Sequence, residues 1–104
     1  MKSQRNFNEK VWDLLKKIPR GKVTTYGLIA RELNSRAYRA VGRACKMNTH
    51  APKVPCHRVV ESSGKIGNYS GSGGAKTKIR LLTEEGILIK NNRIENFIKV
   101  LHKF

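Results

Sequence analysis

Acidic residues are scarce in this chain: seven Asp and Glu stand against 22 Lys and Arg, for a formal net charge of +15. None lies between Asn34 and Val60. Such an excess implies a polyanionic partner, nucleic acid first and an anionic membrane surface second. Long apolar runs are also missing. No stretch approaches the roughly 20 residues a membrane span requires, and the polar Met1 to Asn6 has no signal-peptide core. Two cysteines, Cys45 and Cys56, are too few for a disulfide framework, and in an unexported chain a bridge between them is not expected. Glycine fingerprints for phosphates or dinucleotides are absent in their strand–helix setting. No repeat or interdomain linker interrupts the 104 residues, which suffice for one modest core. The expectation is a single basic domain, 1–104, that is monomeric, not secreted, cytoplasmic (nuclear in a eukaryote) and without a membrane partner.

What is present is helical periodicity. Asn6 and Glu9 form a capping-box pattern, followed by Phe7, Val11, Leu14, Leu15 and Ile18 at helical spacing. Pro19-Arg20-Gly21 ends that helix. Trp12 falls off the stripe and reads as half-buried packing. Val23 and Thr24 look extended. Thr25 caps a second helix with Tyr26, Ile29, Ala30 and Leu33 inward. Asn34 is a stop and Ser35 a new cap, predicting a third helix from about Arg36 to Lys46. Its inner stripe is Ala37, Ala40, Val41, Ala44 and Cys45; Arg36, Arg39, Arg43 and Lys46 share the outer face. Two short helices joined tightly, the second basic outside and small inside, make a helix-turn-helix candidate. A fourth helix is predicted over Lys76 to Glu85, with Ile79 and Leu82 inward and Gly86 at C′. Ile87 to Ile89 reads as extended. Asn91-Asn92 is a turn, and the tail from Ile94 to Phe104 is either a helix or the return of a hairpin. The fold class is mainly α: a winged helix-turn-helix-like DNA-binding domain with short β segments.

The chemistry centres on Pro55-Cys56-His57-Arg58-Val59. Pro55 fixes its own φ and biases Val54 toward extended backbone, so the chain arrives stiff rather than helical. An imidazole and a guanidinium beside a thiol favour the thiolate, which is the nucleophile. A free cysteine is also often a small buried hydrophobe. Beyond it, Ser62 to Ala75 is rich in glycine around Tyr69 and Ser70. This stretch is either a flexible loop or the wall of a pocket for a planar base. A zinc site from Cys45, His50, Cys56 and His57 is disfavoured, because adjacent ligands lack the usual spacing and Cys45 is predicted to face the core.

Taken together, Tyr26, Arg39-Ala40-Val41-Gly42, Asn48, Pro55 to Val60, Gly67-Asn68-Tyr69-Ser70-Gly71 and Glu85-Gly86 resemble the active-site domain of the O6-alkylguanine-DNA alkyltransferases. The likeness runs from about Asn6 to about Ile89. It implies that Cys56 takes an alkyl group from guanine O6 and keeps it, so each molecule reacts once. His57 would act as base through a water, oriented by Glu85. Asn48 would sit at the hinge of the preceding loop, and Tyr26 would help guanine leave. Arg39 would fill the space of a flipped nucleotide, while Arg36, Arg43, Lys46, Ala40 and Gly42 complete the DNA-binding face. Ser70, Tyr69, Val59 and Pro55 would form the base pocket. The implied partner is double-stranded DNA, approached from the minor groove, with its alkylated guanine extruded. No cofactor and no metal are implied.

Three features depart from the family pattern. Longer members carry an N-terminal domain, whereas this chain resembles a short form without it. Thr49 replaces the usual proline, which loosens the loop. A related group, the alkyltransferase-like proteins, is equally short and binds damaged DNA without repairing it, but has tryptophan or alanine where this chain has Cys56. The cysteine favours a stoichiometric methyltransferase; the alternative is an alkyltransferase-like binder.

Overall fold

The computed structural model describes residues 6–51, 53–69 and 71–104. Met1 to Arg5, Pro52 and Ser70, the last assigned above to the base pocket, lie outside the described residues.

Helix α1 (Phe7–Leu15) opens with the predicted capping box. Asn6 Oδ1 accepts from the Glu9 amide at 2.8 Å, and Glu9 Oε1 accepts from the Asn6 amide at 3.0 Å. These bonds satisfy donors that every helix start leaves open. Val11, Leu14 and Leu15 are buried along its inner face, and Ile18 is buried in the turns that follow. Trp12, off the stripe, donates Nε1–H to the Ala44 carbonyl at 2.8 Å and ties α1 to the third helix.

The short strand β1 (Thr24–Thr25) pairs in parallel with β2 (Val59–Val60), Thr24 opposite Val59 and Thr25 opposite Val60. Thr25 then caps α2 (Tyr26–Glu32), its hydroxyl accepting from the Leu28 amide at 3.1 Å. Asn34, at φ +55°, turns the chain out of the helix. Helix α3 spans Tyr38–Lys46, starting later than Arg36. Ser35 is not its cap. The Ser35 hydroxyl accepts from the Ala37 amide at 2.9 Å, closing a local turn instead, and Ala37 takes the cap position without a side-chain bond. Arg36 therefore precedes the helix.

Helix α4 (Gly74–Glu84) begins two residues before the predicted Lys76, and Gly86 follows it at φ +88°, the left-handed stop expected at C′. Of the two readings of the tail, the hairpin forms. Strands β3 (Ile89–Lys90) and β4 (Arg93–Ile94) pair antiparallel across Asn91 and Asn92, both at positive φ, as the favoured two-residue hairpin turn demands. The helical tail shrinks to α5 (Phe97–Val100), and Leu101 bridges back to Val23.

Alternation along β2 serves two apolar clusters. Val59 belongs with Val11, Leu15, Ile29, Val41 and Cys56 under the first three helices. Val60 belongs with Val23, Ile66, Leu82, Ile87 and Ile94. Truncating a fully buried member such as Leu15 to Ala costs about 2–5 kcal/mol. Among the described residues no helix is long and apolar enough to cross a membrane.

Candidate active site

The turn before Cys56 is tighter than the predicted extended approach. Pro55 sits at φ −84°, ψ 68°, and the Cys56 amide donates to the Val54 carbonyl at 2.9 Å, the geometry of an inverse γ-turn. Cys56 then opens a single 3₁₀ turn, Cys56–Arg58. Asn48 holds the preceding loop from both ends of its amide: Nδ2 donates to the Val54 carbonyl at 2.7 Å, and Oδ1 accepts from the His50 amide at 2.9 Å.

Behind the cysteine, three side chains interlock. Arg58 donates to Glu85 twice, Nε to Oε1 and Nη2 to Oε2, each at 2.9 Å, and its Nη1 donates to the Ile18 carbonyl at 2.7 Å. His57 Nε2 bonds Glu85 Oε2 at 2.8 Å. Burial pushes the Glu85 carboxyl up, but the hydrogen bonds from Arg58 and His57 outweigh it and hold the group below the ordinary carboxylate range. An ionised Glu85 can only accept, so Nε2 must carry the proton in that bond. Burial lowers His57, against the pull of Glu85, and the ring is neutral at pH 7. Its lone pair is then on Nδ1, a buried atom with no protein partner. That is a base with its proton-accepting atom left open.

The expected cationic activation of Cys56 is redistributed. Arg58 is committed to Glu85, and burial pushes the Cys56 thiol up. The groups that oppose burial are the Asn48 side chain, by a hydrogen bond, the ammonium of Lys78 and the backbone amide of Cys56.

Cys56 opens onto a cavity of about 520 Å³. Tyr26 and Tyr69 line it with Cys56, and α3 supplies a wall of Arg39, Gly42, Arg43 and Lys46. Gly67, Asn68 and Tyr69 also line the cavity, so the glycine-rich stretch does wall a pocket. A Cβ at Gly71 would lie 2.5 Å from the Tyr69 ring, so a larger residue there would push that ring aside. Burial, with Cys45, Cys56 and Glu61, pushes the Tyr26 phenol well up, which keeps its hydroxyl protonated. Burial and Cys56 likewise raise Tyr69. The guanidinium of Arg39 lies 6.0 Å from the Tyr38 ring centroid, and both side chains are exposed.

Other assigned residues lie elsewhere. Val59 and Pro55 are buried beside the cysteine and do not line the cavity. His57 and Glu85 sit behind Cys56 rather than in the cavity wall. Arg36 borders a separate hollow with Gly27 and Asn34. Ala40, half-buried, is absent from the cavity wall. Cys45 is buried as predicted yet also lines the cavity. Sequence reasoning missed Lys78, which is fully buried, and Glu61 at the cavity edge. The signal for Lys78 was its spacing: it shares the inward face of α4 with Leu82, four residues on.

The family model described as "6-O-methylguanine DNA methyltransferase, DNA binding domain" matches residues 6–87. The chain belongs to this methyltransferase family. Its curated relatives include methylated-DNA–protein-cysteine methyltransferases. That of Methanosarcina acetivorans is 46% identical over 77% of this chain and 51% of its own length. That of Rattus norvegicus is 46% identical over 81% of this chain and 41% of its own. The chain thus spans about half the length of these relatives, or less. Among solved structures, Mycobacterium tuberculosis OGT in complex with DNA superimposes with a TM-score of 0.73 at 42% identity, covering 80% of this chain and 51% of that one. S. pombe Atl1, in complex with damaged DNA containing O6-carboxymethylguanine, gives 0.83 at 35% identity, covering 97% of this chain and 100% of that one. The helix-turn-helix architecture with short strands is therefore the methyltransferase DNA-binding fold.

Proposed function

We propose that this chain repairs alkylated DNA by moving the alkyl group from guanine O6 to Cys56, once per molecule. The observation that carries the reading is the partly buried Arg58–Glu85–His57 relay beside a cysteine that opens onto a cavity. In this reading the Cys56 proton passes through a water to His57 Nδ1. The sulfur attacks the alkyl carbon, the S–C bond forms and the C–O6 bond breaks. The electron pair goes to the guanine, which takes a proton from Tyr26 and leaves neutral. The thioether formed is stable, and no group in the site could cleave it. Damaged duplex DNA would lie against α3, its base flipped into the cavity because O6 is unreachable inside the stack.

A second reading is favoured by the match to the whole of Atl1: the chain binds alkylated DNA without transferring the group. Intact-mass measurement after mixing with an oligonucleotide containing O6-methylguanine separates the two. Transfer adds the mass of one methyl group, on the peptide carrying Cys56, at one equivalent per protein. No added mass, or mass on Cys45, overturns the transfer reading.

Affinity for DNA should come mostly from phosphate contacts by Arg36, Arg39, Arg43 and Lys46, all exposed. Each contact removed is expected to flatten the log–log salt dependence by about one unit. A slope unchanged in the Arg36→Ala, Arg43→Ala double variant would exclude this face as the docking surface.

A further inference from the structure

Lys78 is the one fully buried lysine among the described residues. Its ammonium donates to the Asn68 carbonyl at 3.0 Å. None of the ion pairs among the described residues includes it. A buried ammonium held by one neutral acceptor is costly, and folds rarely keep one without compensating negative charge nearby.

The surroundings identify that charge. Asn68 lies between Gly67 and Tyr69, and all three border the cavity onto which Cys56 opens. A Cβ at Gly67, which stands at φ +76°, would lie 3.8 Å from Lys78 Nζ and 3.4 Å from Glu61 Oε2. Lys78 also acts electrostatically on Cys45 of α3 and on Cys56 and His57 of the 3₁₀ turn. Arg58 in that turn is already matched by Glu85. The groups facing the ammonium are therefore two thiols, one carboxylate and one imidazole that is neutral at pH 7.

We propose that Lys78 is a positioning residue for alkyl transfer: it holds the Gly67–Tyr69 wall through the Asn68 carbonyl and supplies the positive field under which Cys56 ionises. Burial brings its pKa down to about 8, against the opposing pull of Cys45, Cys56 and Glu61, so the ammonium is charged at neutral pH. Cys45, itself pushed up to about 12 by burial, stays a thiol. Ionisation of Cys56 thus places an anion beside a charge that otherwise has only Glu61. Alkylation ends the arrangement, because a thioether is neutral.

The role rests on Cys56 being the nucleophile, but it can be tested without DNA. Iodoacetamide labelling across pH, with peptide mapping to separate Cys56 from Cys45, reads the thiolate directly. Lys78→Met and Lys78→Gln are both expected to slow Cys56 labelling at pH 7 at least about tenfold, one pKa unit, with the rate regained as pH rises. Lys78→Gln keeps a donor for Asn68, so its loss isolates the charge. Wild-type labelling in a folded variant, judged by circular dichroism and melting, overturns the proposal. Should both variants fail to fold, the wild-type protein still decides. The Lys78 ¹⁵Nζ resonance should titrate at lower pH once Cys56 is capped by iodoacetamide, and an unmoved midpoint overturns the proposal. If wild type takes no methyl group from DNA yet Lys78→Met still suppresses labelling, the transfer reading fails and what stands is the action of the Lys78 charge on the Cys56 thiol.

Discussion

Cys56→Ser is expected to abolish alkyl transfer and leave binding to alkylated duplex DNA essentially unchanged. The substitution is nearly isosteric in a site where Cys56 is 5% exposed, so the core and the cavity shape survive. What disappears is the ionisable sulfur. A serine hydroxyl beside a neutral imidazole does not supply an anion able to displace an alkyl carbon from oxygen. The variant should therefore behave as a damage binder without chemistry, and a mobility-shift titration beside an intact-mass time course measures both properties. Residual transfer would mean that another group, Cys45 first, accepts the alkyl. Lost binding would mean that Cys56 contributes to the docking surface, against its burial.

His57→Ala should slow reaction by a factor on the order of 10² to 10⁴, the usual worth of a positioned base. It should do so equally on duplex DNA and on the free base O6-benzylguanine, because thiolate formation is common to both. Glu85→Gln should follow it. The Gln amide cannot hold Arg58 in two charge-assisted bonds, and His57 loses the acceptor that fixes its proton on Nε2. Arg39→Ala should divide the two substrates. Unstacking a base costs a few kcal/mol, so the duplex should react roughly 100-fold more slowly while the free base is hardly affected. Single-turnover rates of the three variants on both substrates make the comparison. Equal slowing of both substrates by Arg39→Ala would move Arg39 from docking into the chemical site or the fold.

Local signals carried far in this chain. The capping box at Asn6, the Thr25 cap and the stops at Asn34 and Gly86 are short-range patterns, and each forms as read, whereas α1 ends at Leu15, ahead of the stop read at Pro19, and leaves Ile18 to be buried from the following turns. Ser35 misled because its hydroxyl accepts from the Ala37 amide two residues on and closes a turn ahead of the helix instead of capping it. The tail was ambiguous because Ile94, Phe97 and Leu101 fit a helix, while two asparagines at positive φ fit a hairpin turn better. Of the residues read as one site, the cavity gathers Cys56, Tyr26, Tyr69, Arg39, Arg43 and Lys46, while Pro55, Val59, Arg36 and Ala40 fall outside it. That His57 and Arg58 follow Cys56 suggested that both would act on the sulfur. One turn of 3₁₀ helix instead sends both side chains to Glu85, 28 and 27 residues away. Lys78 was hidden because lysine is almost always a surface residue.

The parallel pair Thr24–Val59, the Val23–Leu101 bridge and the His57–Glu85 bond share one property: their partners are distant along the chain. Contacts of that kind close last, because the entropy of loop closure must be met before they return any stabilisation. The Trp12–Ala44 bond that ties α1 to α3 spans 32 residues and belongs to the same class, so the helices and the surroundings of Cys56 are completed together. Reactivity at Cys56 beyond that of an ordinary thiol would then report completion of the fold itself, because a partly unfolded chain has a cysteine but no Glu85-oriented imidazole beside it.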